Sequence, residues 1–109
     1  MGKHYRDPAD KPVLGSGMCM TSDALIHTAV ERNCSLYVMN KPPNRYMNDP
    51  EFFVFYLSRE ACVRNIATHN NGRINTVNNG NDRKARLLVY TADECKQYVL
   101  QCTNHTKEN

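Results

Sequence analysis

The residues of this chain that most invite chemistry are its five cysteines, Cys19, Cys34, Cys62, Cys95 and Cys102, in 109 residues. They form no C-x-x-C pair and no dense His/Cys cluster, so the set points to disulfides rather than to zinc. Two bridges use four of them and leave one thiol over, for the core or for a partner chain. Cys95 and Cys102 share a helix face two turns apart, roughly 10 Å along the axis, which is too far for them to bond each other. With helices antiparallel on one face of a sheet, Cys34 meets Cys62, and Cys19 meets the third helix at Cys95 or Cys102. The contrasting expectation is that all five are reduced and act as small core hydrophobes. Cys19, ahead of a helix N-terminus, would have a lowered pKa if unpaired.

The four histidines are His4, His27, His69 and His105. His27 and Glu31 share a helix face, a spacing that suits a metal or an acid–base pair. No H-E-x-x-H or second spaced histidine supports that use, and a solvent-facing pair is the plainer reading. A hydrolytic pair made of His27 and His69 likewise has no supporting motif. There is no G-x-S-x-G, P-loop or G-x-G-x-x-G. No catalytic residue, metal or cofactor is therefore expected.

Cationic residues gather in two places. Arg83, Lys84 and Arg86 follow an Asn-rich turn, Asn78-Asn79-Gly80-Asn81, and Lys41 and Arg45 stand with Tyr46 on a proline-containing loop over 41–50. Basic loops with interleaved aromatics can contact phosphates or acidic protein surfaces. A net charge of +3 is too small to argue nucleic acid by itself, and the run Phe53-Val54-Phe55-Tyr56 lacks the flanking pattern of an RNA-binding sheet.

The elements that must position these residues read as follows. Strands are expected at 17–20, 36–39, 51–57, 73–77 and 84–90. Of these, 51–57 is a continuous apolar run that suggests a central strand covered on both faces. Helices follow Thr21 or Ser22, Ser58, and the capping box Thr91-Ala92-Asp93-Glu94. Cys95, Tyr98, Val99 and Cys102 lie along one stripe of the third. The order β-α-β-β-α-β-β-α is an extended split βαβ, ferredoxin-like arrangement: an α+β sandwich with an antiparallel sheet and helices on one face. Residues 1–11 read as a flexible arm, 12–103 as one domain and 104–109 as a frayed tail.

Met18-Cys19-Met20 ahead of a helix ending in Arg32-Asn33-Cys34, with later helix cysteines at Cys62, Cys95 and Cys102, resembles a group of small secreted fungal proteins. These are virally encoded killer-toxin subunits and the plant-pathogen effectors that share their split βαβ fold. The resemblance implies a disulfide-stabilised, non-catalytic virulence or toxin protein acting through host proteins or membranes. The expected function is thus a secreted interaction protein that binds a protein partner through its exposed loops, with the odd cysteine available for a disulfide-linked homo- or heterodimer. Residues 1–11 carry no apolar signal core and no stretch approaches membrane-spanning length, so a secreted protein would here lack its signal peptide. The alternative is a reduced cytoplasmic adaptor or nucleic-acid-binding ferredoxin-like module.

Overall fold

A chain reversal made without glycine sets the first half of the fold. In a computed structural model, residues 11–15, 22–43, 48, 50–72 and 84–107 are described, with side chains as far as 102. Helix α1 (Ser22–Arg32) carries Asp23 in its first turn and Arg32 in its last, each suited to the helix dipole. It closes with Cys34 N–H on Ala29 C=O at 3.0 Å and Asn33 N–H on Val30 C=O at 3.1 Å, with Asn33 at φ 53°. This is a Schellman stop with Asn in the left-handed position. Strand β1 (Leu36–Lys41) follows at once, then β2 (Phe52–Tyr56), α2 (Arg59–His69), β3 (Arg86–Tyr90) and α3 (Ala92–Lys107).

The three strands run in the order β2-β1-β3, antiparallel at both junctions. The α+β class and the antiparallel sheet are as expected. The strands expected at 17–20 and 73–77 lie outside the described residues. Among the described strands β1 is central, not the Phe52–Tyr56 run. That run is apolar throughout because a helix covers each of its faces, α1 on one and α2 on the other.

Alternation along the strands separates two cores. Leu36, Val38, Phe55, Leu88 and Tyr90 face one way and pack with Ile26 and Ala29 of α1 and Cys95 of α3. Met39 faces the other way and is buried with Cys62 and Ile66 of α2 and with Ala85, flanked by Tyr37, Phe52, Val54, Tyr56 and Leu87. The helices therefore lie on both faces, α1 and α3 together on one and α2 alone on the other. This corrects the expectation of a single helical face. The crossover from β2 to β3 carries α2 over the side of the sheet that α1 has not taken.

Both later helices start as their sequences say. Ser58 Oγ accepts from Ala61 N–H at 3.2 Å. Thr91 Oγ1 accepts from Glu94 N–H at 3.1 Å, while Glu94 Oε1 accepts from Thr91 N–H at 2.7 Å. Helix α3 continues to Lys107, into the stretch 104–109 expected as a tail. Lys11, assigned to a loose arm, is instead tied to the domain. Its Nζ lies 2.9 and 3.0 Å from the Glu94 carboxylate oxygens and donates to Val89 C=O, and Tyr90 Oη donates to Pro12 C=O. Leu14 is carried into the α1/α3 core, and Gly15, at φ 79°, passes so close to Tyr98 that a Cβ would collide with its hydroxyl.

Candidate functional site

Register brings the two expected binding loops to one end of the sheet. Lys41 pairs with Phe52 and Asn40 pairs with Phe53 and Arg86, so the β1–β2 connection and the approach to β3 leave from the same edge. Lys41, Lys84 and Arg86 are thus neighbours in the fold. Arg45, Tyr46 and Arg83 lie outside the described residues, as does Cys19.

On the α2 side of this end, Phe52 has Lys41 and His69 beside its ring. Lys41 Nζ stands 5.9 Å from its ring centroid, and the His69 ring stands 5.7 Å away, tilted by 58°. Lys84 is half-buried just ahead of β3. Asn70 fixes that approach: its Nδ2 donates to Ala85 C=O at 2.8 Å and its Oδ1 accepts from Ala85 N–H at 3.0 Å. A side-chain amide thereby replaces a strand's pair of backbone bonds and pins the C-terminus of α2 to the start of β3. Sequence alone does not single out Asn70. Its partner is 15 residues away, and no local signal identifies it.

Arg86 is the main departure among the expected binding residues. It is 1% exposed, inside the sheet rather than on a loop. Strand β3 begins at Arg86, and alternation turns its side chain to the α1/α3 face, next to Asn40, which is fully buried. Asn40 Nδ2 donates to Glu51 Oε2 at 3.3 Å. Asn40, Glu51 and Arg86 form the polar floor of the basic end, and Lys41 and Lys84 are the cations left at its rim.

The cysteines fall into different surroundings from those expected. Cys34, Cys62, Cys95 and Cys102 are all thiols. Cys62 packs on the α2 face and Cys34 on the α1/α3 face, so the sheet separates the pair that a one-faced arrangement would join. Cys95 is buried, with Tyr98 and Val99 packed against the same core, whereas Cys102 is exposed, so the expected stripe on α3 reaches the core except at its last residue. Burial pushes the Cys62 thiol up to about 12, against a small opposing effect of Arg59. Burial also pushes Cys95 up, helped by the charges of Glu94 and Cys34. A nucleophilic cysteine needs the opposite shift.

His27 and His69 stand on helices on opposite sides of the sheet, so the fold does not bring them together. No group of three His, Cys, Asp or Glu side chains with metal-binding geometry occurs among the described residues. Away from this end, a concavity of about 240 Å³ runs between Pro12–Leu14 and the side of α3 that carries Gln97, Tyr98 and Gln101. The hydroxyl of Tyr98 there donates to Asp23 Oδ1 at 3.2 Å, and its bond with Cys102, burial and Asp23 together raise its pKa. None of the described helices is long and apolar enough to cross a membrane. Comparison with protein-family models, curated proteins and solved structures found no match to this chain.

Proposed function

We propose that this chain is a secreted, non-catalytic interaction protein of toxin or effector type that binds an acidic surface of a protein partner with the basic end of its sheet. The observation that carries the reading is the register that pairs Lys41 with Phe52, beside the His69 ring, at the sheet end from which the approach to β3 also leaves. Loops on a rigid scaffold are where binding residues concentrate, and an aromatic ring beside a lysine ammonium offers both contact area and charge. The exposed Cys102 thiol is the group that a partner chain can reach for an intermolecular disulfide. Strands at 17–20 and 73–77, completing the resembled order, belong to the same proposal, and backbone NMR shifts at those residues check them.

The test is the double charge reversal Lys41→Glu/Lys84→Glu, with folding monitored by circular dichroism. Partner capture by the wild type should be lost in the folded variant. Equal capture by both proteins would end the reading.

One observation favours a second reading, a reduced intracellular nucleic-acid-binding module: all four described cysteines are thiols, two of them fully buried as core atoms. Binding to single-stranded RNA or DNA should then weaken steeply with salt. The log–log slope should fall by about 0.7 for each phosphate contact removed with Arg83 and Lys84. Salt-insensitive or absent binding excludes it.

A further inference from the structure

We infer that Cys34 and Cys95 are a disulfide-forming pair that locks the end of α1 to the first turn of α3. Two independent features place them together. The β1–β3 register sets Leu36 opposite Tyr90; Cys34 lies just before Leu36, and α3 starts just after Tyr90 with Cys95 one turn in. Both side chains also belong to one apolar cluster, Cys95 fully buried in it and Cys34 packed half-buried at its edge. The α1 stop directs this approach, because the left-handed Asn33 turns the chain back and Cys34 N–H is bonded to Ala29 C=O.

The other described cysteines lack this relation. Cys62 is on the far side of the sheet, and Cys102 is exposed two turns further along α3. The pairing differs from the arrangement expected from a one-faced sheet, in which Cys34 meets Cys62 and Cys19 meets Cys95 or Cys102.

The oxidant is a low-molecular-weight disulfide such as glutathione disulfide. The more accessible Cys34, as thiolate, attacks one glutathione sulfur, forming a mixed disulfide and expelling a glutathione thiolate that takes up the proton. Cys95 then loses its proton and attacks the Cys34 sulfur, expelling the second glutathione. Two protein thiols are oxidised by two electrons, and one glutathione disulfide becomes two glutathione molecules. Burial raises the pKa of Cys95 and so lowers the thiolate fraction available for the second step.

The inference rests on the oxidising-compartment reading only for its biological use; the pairing itself is tested on the purified full chain. The protein is equilibrated in glutathione buffers, alkylated, digested without reduction and mapped by mass spectrometry. The expected product is a Cys34–Cys95 linked peptide with Cys62 labelled only after denaturation. Oxidation should raise the thermal midpoint by about 10 °C, and the half-buried substitution Cys34→Ala should abolish that rise. Cys34 or Cys95 found in any other bridge, or both recovered alkylated from the oxidising buffers, overturns the inference. Protein that forms the bridge in vitro but is isolated from its source with both thiols free overturns secretion and leaves the pairing intact.

Discussion

Asn70 is the side chain that holds the candidate site in shape. Both of its amide groups are spent on Ala85, in surroundings where water cannot replace them, since Asn70 is 3% and Ala85 1% exposed. Asn70→Ala removes two hydrogen bonds and leaves a buried N–H and C=O without partners, a loss of about 2–4 kcal/mol. Urea denaturation should show it as a lower midpoint with an unchanged slope, and amide exchange at Ala85 should accelerate. Gly15 is the second position where one residue decides the local path. Its φ of 79° disfavours any side chain, and Tyr98 occupies the space a Cβ needs. Gly15→Ala should cost about 1–2 kcal/mol from backbone strain alone; a variant as stable as the wild type would show that the segment 11–15 is not seated against α3. The glycine could be flagged from sequence as a loop residue, but the Tyr98 approach depends on a chain separation that no local pattern encodes.

At the scale of elements, the signals that are local in sequence read out well and the non-local ones do not. The Thr91–Glu94 capping box is written in four consecutive residues and forms as written. The face of the sheet that a helix covers is not, because the apolar stripe of α2 fits either side equally; the crossover from β2 to β3 decides. Arg86 was misplaced for a related reason. The strand expected over 84–90 already includes Arg86, but its inward direction is set by pairing with Asn40, which no local pattern encodes. The capping box acquires a partner in Lys11, and this carries a pH dependence. Burial opposes ionisation of Glu94, but the Thr91 N–H and the Lys11 ammonium outweigh it and hold the carboxyl below its ordinary value. The charged form is thus favoured in the folded state. Its stabilising effect is complete above the ordinary glutamate range, about 4.3, and is lost as pH falls through the lower folded value. The stability difference between wild type and Glu94→Gln should be largest near neutral pH and shrink as pH falls through that window. A difference that stays constant from neutral to acid pH would remove the Lys11–Glu94 contact from the solution structure.

Across the whole molecule, a three-stranded sheet covered on both sides gives two cores that share strands but few side-chain neighbours. Ile26 lies in one and Ile66 in the other, both fully buried. A layer of strands lies between the two isoleucines, which belong to different clusters with no shared buried neighbour, so substitutions at the two sites should act independently. Ile26→Val and Ile66→Val should each cost about 0.5–1.5 kcal/mol, the loss of one buried methylene. The double variant should then lose the sum to within about 0.5 kcal/mol. An arrangement with all helices on one face would put both side chains in a single core, where relaxation around one cavity alters the cost of the second. A chemical-denaturation cycle therefore separates the two architectures without any structural measurement. Coupling clearly above 0.5 kcal/mol would refute the opposed cores, and with them the separation of Cys34 from Cys62 that directs Cys34 towards Cys95.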